Sequence, residues 1–578
     1  MKLLNTIFNS QFGPATPNGN LALWPYLWAA SLAVVWLLPV GAVPWTTYAA
    51  DLWMAIVALF GGVTVLLIAR KAVPWHATAV GCAFLAMVPW LQWSIGLLPY
   101  FGQAWITSLY ISGFCLAILV GTAWEKLYPA QFMNLFAGAV LFAAIASVGL
   151  QLYAWSGLSD AGALGPLFAG VSRSRPSGAL GQPNQLATFL LWGLIASFYF
   201  YDKKTIGGRG VLAVAGFLLL GLALTQSRTG ILSAVCLWAW ICFHRNMWER
   251  KFPAHAVTGL LIYFLICPYI LERAGDFLLL DRGSTLTRLE QKSEVRLEAW
   301  HMLSHAALLE PWWGYGWTET SAAQINISDK FNTLGGLFSH SHNLFLDIIL
   351  WMGLPLGCII ILALLWIMIK IMAGIRNSEE AALSLCLLVV GIHAMLEFPL
   401  QYAYFLLPIG LILGVLSVRM NFAPVWKGNR WIAPGILILL TVALGITVKD
   451  YSNVENSYLL LRLEQGVLGQ NRPPLGGPPE VKVLTHLREW IVVSRIKPRP
   501  HMTAGELAQL EVMNRRYPSR SFAYQLASAY ALNNRPQEAL VWLNRICKFT
   551  DTQDCMLVEK AWKMAAQQDP RFASVLWP

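Results

Sequence analysis

The chain has 578 residues, of which 57% are hydrophobic and only 12% are Asp, Glu, Lys or Arg; an ordinary soluble domain carries about 25% charged residues. So little charge does not cover a water-soluble body, which excludes disorder, a coiled coil and a cytosolic multidomain enzyme and leaves most of the surface facing lipid. Of the 41 Lys and Arg and 30 Asp and Glu, 29 together lie in the last 130 residues, so an apolar membrane body, 1–448, is followed by a tail, 449–578, as charged as a soluble domain.

A membrane helix needs about 17–25 apolar residues. Thirteen segments meet or approach that length: 21–40, 52–69, 77–98, 104–122, 131–153, 185–201, 210–226, 230–244, 255–271, 351–370, 381–397, 402–418 and 432–448. The run 344–350 either extends the tenth span backwards or forms a short helix before it. Basic residues are retained on the cytoplasmic side, which tests the count. With the N-terminus inside, the internal segments carry fifteen: Lys2, Arg70, Lys71, Lys126, Lys203, Lys204, Arg209, Arg245, Arg250, Lys251, Lys370, Arg376, Arg419, Lys427 and Arg430. The short external loops carry three: Arg173, Arg175 and Arg228. The loops 154–184, 226–230, 272–343 and 398–402 and the tail are therefore expected on the external face. The net charge of +11 is an orientation signal and does not argue for nucleic acid. No cleavable signal peptide is expected, because Lys2 precedes a full-length span without a small-residue cleavage pattern.

Beyond a breaker-rich stretch at Pro473, Pro474, Gly476, Gly477, Pro478 and Pro479, the tail reads as amphipathic helices at 481–496, 503–516, 521–533 and 536–548, with a further one at 556–566. Segment 521–548 carries A-Y-x-x-x-x-x-P-x-x-A-L (Ala529 to Leu540), which resembles a tetratricopeptide repeat and needs flanking helices to bury its face. Seven Cys fall inside spans as small hydrophobes. Cys547 and Cys555, in the exported tail, are either a disulfide or two free thiols.

Polar groups where spans open onto water are functional candidates, and five places on the external side qualify. Ser339-His340-Ser341-His342-Asn343 precedes an apolar run, and of its two His one is expected to pack while the other faces a substrate as a base near neutral pH. Arg228 stands in a very short external loop, against the charge rule. Arg296 follows Arg288 and Lys292 at four-residue spacing on one helix face, and guanidinium suits phosphate oxygens. The amides of Gly181-Gln182-Pro183-Asn184-Gln185 either cap the following helix or hold sugar hydroxyls. Glu397, one turn after His393, begins a hairpin with Tyr402 and Tyr404. Neither metal-ligand spacing nor a Walker loop nor a dinucleotide fingerprint is present, so a donor outside the cell must carry its own leaving group, as a lipid diphosphate-linked sugar does. A transporter would place such groups along the midplane instead.

The ordered series T-x-S-R-T-G (Thr225 to Gly230), R-x-x-x-W (Arg296 to Trp300), P-x-x-G-x-G (Pro311 to Gly316) and H-S-H-N (His340 to Asn343) resembles the O-antigen ligase and polymerase superfamily. G-Q-P-N-Q (Gly181 to Gln185), E-F-P-L-x-Y-A-Y-F (Glu397 to Phe405) and the repeat-bearing tail are similar to the bacterial protein O-oligosaccharyltransferases of the PglL/PilO type. The resemblance, over about 181–548, implies an all-α integral membrane protein, a GT-C-like membrane glycosyltransferase with about 13 transmembrane helices. It further implies a large periplasmic loop, 272–343, within the catalytic body and a helical, TPR-like periplasmic domain at 449–578. The enzyme would sit in the inner membrane with its N-terminus cytoplasmic and its active site and C-terminus periplasmic. It would move a preassembled glycan from undecaprenyl diphosphate to Ser or Thr of an exported protein such as pilin, with inversion, no metal and no cofactor. His342 would be the catalytic base and Arg228 and Arg296 the diphosphate ligands. Gln182, Asn184, His340, Asn343, Glu397, Tyr402 and Tyr404 would bind donor or acceptor. Gln401 stands where the family often carries His. The rival readings are an O-antigen ligase with a lipid A-core acceptor and an O-antigen polymerase; a repeat-type tail outside suits a protein acceptor.

Overall fold

The computed structural model describes residues 23–41, 43–69, 72–158, 175–250, 253–277, 294–466 and 474–577. Lys2, Arg70, Lys71, Arg173, Lys251, Arg288, Lys292 and Pro473 lie outside the described residues, so their expected placements have no structural counterpart. Every one of the thirteen apolar segments carries helix. Among the described residues seven helices are long and apolar enough to cross a membrane: Tyr48–Leu67, Ala77–Ser94, Phe101–Leu127, Gln131–Trp155, Ala254–Phe277, Leu344–Ala373 and Ile432–Gly466. The other six, Trp24–Val35, Pro183–Asp202, Gly208–Leu224, Arg228–Phe243, Ser378–Ala394 and Ala403–Arg419, are shorter or more polar. Among the described residues the strands are one antiparallel pair, Pro74–Trp75 with Trp426–Lys427.

Two boundaries differ from expectation, and one open alternative is decided. The third segment is two helices, Ala77–Leu85 and Val88–Ser94, because Pro89 sits in the first turn of the second. The run at 344–350 takes the second of its two expected forms: within Leu344–Ala373 it is a short helix set off from the tenth segment by a kink at Gly353, two residues before Pro355. The last span continues as helix to Gly466.

The chain divides into two compact units: Met1–Ala83, Tyr110–Gln291 and Trp366–Thr441 in the first, and Phe84–Leu109, Lys292–Leu365 and Val442–Pro578 in the second. The hub of the first is the Pro183–Asp202 helix, which packs on Gln131–Trp155, Gly208–Leu224, Arg228–Phe243 and Ser378–Ala394. Seventeen of its 20 residues are buried, as befits a helix apolar all round, and Trp192 Nε1 donates to the Cys386 carbonyl. Two of the cations expected inside are paired in this unit: Arg419 bridges Glu125 at 2.9 Å and Glu379 at 2.6 Å, and Lys203 reaches Glu379 at 3.1 Å.

In the second unit the tail helices are Thr485–Arg495, Ala504–Arg516, Arg520–Leu532, Pro536–Phe549 and Thr552–Gln568, each within a few residues of expectation. A capping box at Thr503 and Glu506 starts the second. Arg520–Leu532 and Pro536–Phe549 form a helical hairpin over a turn in which Asn534 takes φ 59°. Cys547 and Cys555 are joined by a disulfide. The tail is tied to the chain around 318–333: Arg516 donates to the Thr318 carbonyl and hydroxyl and pairs with buried Glu319 at 3.2 Å, while Gln103 Nε2 donates to Glu319. Lys548 Nζ donates to the Phe331 carbonyl, and Thr333 Oγ1 to that of Lys548. Burial raises the Glu319 carboxyl above its ordinary range, and Arg516 opposes that shift.

His486, packed against Gly102, has its imidazole pushed down to about 3 by burial. It is neutral when folded, whereas the unfolded chain protonates it near its ordinary value of about 6.5. The unfolded state thus binds the extra proton between those values, and stability falls as pH falls through that window. The loss is up to about 1.4 kcal/mol per pH unit. Thermal unfolding of the full chain in detergent between pH 7.5 and 5 is expected to drop more steeply for the wild type than for His486→Leu; parallel curves remove His486 as the cause.

Candidate functional site

In the first unit, three motifs far apart in sequence meet on Asn184. Its Nδ2 donates to Glu397 Oε1 at 3.0 Å, and its Oδ1 accepts from Ser227 Oγ at 2.7 Å. Gln182 caps the helix that opens at Pro183, its Oε1 accepting from the Gln185 N–H at 2.8 Å. Of the two roles open to these amides, Gln182 thus takes the capping one, while Asn184 ties two loops together. Ser227 in turn caps the next helix, its Oγ accepting from the Gly230 N–H at 2.9 Å, so that Arg228 is the first helical residue and is exposed. A helix start disfavours a cation and favours an anion, which makes Arg228 a poor packing choice and a good anion ligand. Arg175 reaches the same turn, its Nε donating to the Thr225 carbonyl at 2.9 Å.

Glu397 is 5% exposed and its N–H donates to the His393 carbonyl, while His393 Nδ1 lies 2.8 Å from Thr188 Oγ1. Tyr402 and Tyr404 stack with ring centroids 5.1 Å apart, Tyr404 being fully buried. Asp51 fixes the start of their helix, its Oδ1 accepting from the Ala403 N–H at 2.8 Å while its Oδ2 accepts from Thr47 Oγ1 at 2.5 Å.

The second unit gathers Arg296, His340, His342 and Asn343. Arg296 and Trp300, four apart on the Glu294–Leu309 helix, share a face, and Trp300 Nε1 donates to the Ser341 carbonyl at 2.7 Å. The guanidinium therefore stems one helical turn from the indole that holds the peptide preceding His342. Pro311 to Gly316 packs on the kink of the Leu344–Ala373 helix. Tyr315 N–H donates to the Leu350 carbonyl and Leu354 N–H to that of Pro311, both at 2.7 Å. A Cβ on Gly314, at φ 67°, would strike the backbone of Leu350 and Met352, which accounts for the glycine.

The two His sit in different surroundings, and the segment is not extended at His342. His342 takes φ 56°, a left-handed conformation costing a residue with a Cβ about 1–2 kcal/mol. His340 is 4% exposed and lies edge-on to Trp351, whereas His342 is half-buried with its ring perpendicular to Phe338. Asn343 caps the following helix, its Oδ1 accepting from the Phe345 and Leu346 N–H groups. Asp347 holds the loop from below: its Oδ1 accepts from the Ser341 N–H at 2.8 Å and from Thr320 Oγ1 at 3.1 Å, with His340 Nδ1 3.8 Å from Oδ2. Trp351 Nε1 donates to Thr320 Oγ1 at 2.9 Å. Among the described residues no group of three or more His, Cys, Asp or Glu is placed to hold a metal ion.

These clusters coincide with regions known from other proteins. Residues 176–200 match a family described as protein glycosylation ligase, 213–362 one described as O-antigen ligase, and 381–556 one described as virulence factor membrane-bound polymerase, C-terminal. A general O-oligosaccharyltransferase of Acinetobacter baylyi is 28% identical over 575 residues, covering 94% of this chain and 95% of that protein. A ComP-specific O-oligosaccharyltransferase of the same organism is 31% identical over 299 residues, 50% of this chain and 54% of that one. Over nearly its whole length the chain is thus similar to a protein O-oligosaccharyltransferase, and 213–362 matches the O-antigen ligase family. These similarities support an oligosaccharyltransferase, a membrane glycosyltransferase of protein O-glycosylation. Gln182 and Asn184 fall in the first matched region, Arg228, Arg296, His340, His342 and Asn343 in the second, and Glu397, Tyr402 and Tyr404 in the third. Sequence reasoning missed Asp347, Thr320, Arg175 and Asp51. The signal for Asp347 was a carboxylate set in an apolar run; for Thr320 there was none.

Proposed function

We propose that the enzyme transfers a preassembled glycan en bloc from undecaprenyl diphosphate to a Ser or Thr hydroxyl of an exported protein such as pilin, with inversion. His342 takes the hydroxyl proton as the oxygen attacks the anomeric carbon. The bond from that carbon to the diphosphate oxygen breaks, and its electron pair leaves with the diphosphate. Arg228 and Arg296 bind the diphosphate and stabilise the charge that grows on it. Gln182, Asn184, Asn343, Glu397, Tyr402 and Tyr404 shape the donor and acceptor sites, and His340 supports the His342 loop from within. The proposed setting is the inner membrane, crossed thirteen times. The N-terminus is then cytoplasmic, and the loop 272–343 and the TPR-like tail, 449–578, are periplasmic, the tail presenting the acceptor. The observation that carries this reading is the Trp300 to Ser341 hydrogen bond, which joins the Arg296 helix to the His342 loop.

The test reconstitutes the full chain with an undecaprenyl diphosphate-linked oligosaccharide and offers pilin and lipid A-core in separate reactions. Glycan on the protein, with the anomeric configuration inverted, is expected. Glycan on lipid A-core alone favours the ligase reading, and lengthening of the donor glycan the polymerase reading; either sinks the protein-transferase proposal.

A further inference from the structure

We infer that Asp347 is a positioning residue for the reaction, acting on the His342 imidazole through the Ser341 peptide; this rests on the reading of His342 as the base. Asp347 is 3% exposed in the first turn of the Leu344–Ala373 helix. A carboxylate buried there is costly unless its acceptor bonds are all used well, and an apolar side chain of similar size would fill the space at less cost. What the carboxylate supplies, and an apolar residue does not, is a pair of hydrogen bonds to Ser341 N–H and Thr320 Oγ1.

Those bonds fall where the geometry of His342 is decided. Both peptide groups of Ser341 are held from outside the loop, the N–H by Asp347 and the carbonyl by Trp300. On the other side Ser341 Oγ donates to the Asn343 carbonyl at 2.8 Å. His342 is thereby confined between two fixed peptides in a left-handed conformation, φ 56°, that a free loop would leave. Relaxation to negative φ swings the Cα–Cβ bond and carries the imidazole away from any fixed target. A displacement of about 1 Å in a reacting group costs on the order of 100-fold in rate. Thr320 orients the carboxylate in turn, since its hydroxyl donates to Asp347 Oδ1 while accepting from Trp351 Nε1. The chain of constraint therefore runs Trp351, Thr320, Asp347, Ser341, His342.

The test uses the full chain in detergent or vesicles, with kcat and KM measured for the lipid-linked donor and a protein acceptor. Asp347→Ala is expected to lower kcat on the order of 100-fold with both KM values within about threefold. Asp347→Asn, which keeps the acceptor oxygen facing Ser341, is expected to restore kcat to within about fivefold of wild type. Thr320→Val, isosteric and lacking only the hydroxyl, is expected to lower kcat about tenfold, and stands in for Asp347→Ala should that variant not fold. Full kcat in Asp347→Ala, or in Thr320→Val where Ala does not fold, overturns the inference. So does loss in Asp347→Asn equal to that in Asp347→Ala, or a loss carried by KM. Full activity in His342→Ala overturns instead the underlying reading of the base, so the two failures are separable.

Discussion

Replacing His342 by Ala is expected to lower turnover by about 10²- to 10⁴-fold, the usual worth of a positioned general base, with donor binding retained. A Ser or Thr hydroxyl is a weak nucleophile and gains most from a base that removes its proton as the new bond forms. The imidazole is held for that task by a backbone conformation that packing alone would not choose. His342→Gly separates the two consequences: glycine adopts φ 56° without strain, so the variant is expected to be as stable as wild type and as inactive as His342→Ala. Single-turnover assays at saturating lipid-linked donor, alongside thermal unfolding, read both. Transfer persisting in either variant would falsify the role of His342 as base.

The arginines are expected to show the second-largest effects. Arg228→Ala and Arg296→Ala should each lose about 10²- to 10³-fold, comparable to removing one donor aimed at a developing negative charge. Lysine in either place keeps the charge and gives up the planar fork that matches phosphate oxygens, and should recover only part of the rate. The two sit in different settings: Arg228 is exposed as the first residue of a helix capped by Ser227, and Arg296 is half-buried one turn before Trp300. Inorganic pyrophosphate should inhibit the wild type and inhibit both alanine variants more weakly. Unchanged inhibition with unchanged kcat would remove that arginine from diphosphate binding.

What was legible in the sequence was what local chemistry dictates. A membrane helix satisfies its own backbone over about 20 apolar residues, so thirteen helical segments could be read, of which seven among the described residues are long and apolar enough to cross a membrane. The R-x-x-x-W spacing is one helical turn and could be read as a shared face. His342 and Arg228 stood out because polar groups are scarce at such places.

The tertiary structure alone decided which distant partners those groups find. Asn184 meets Glu397 and Ser227 across 213 and 43 residues of chain, and no periodicity carries such a pairing. The bridge between Cys547 and Cys555 was one of two open alternatives, because spacing does not fix geometry. Nothing in the sequence pairs Asp347 with Ser341 and Thr320, which the structure folds back onto it. Composition and periodicity thus determine where the chain is apolar and helical and which polar residues stand out against that background. The orientation of His342 depends on hydrogen bonds among Trp300, Thr320, Ser341 and Asp347, and these exist only once separate helices have packed.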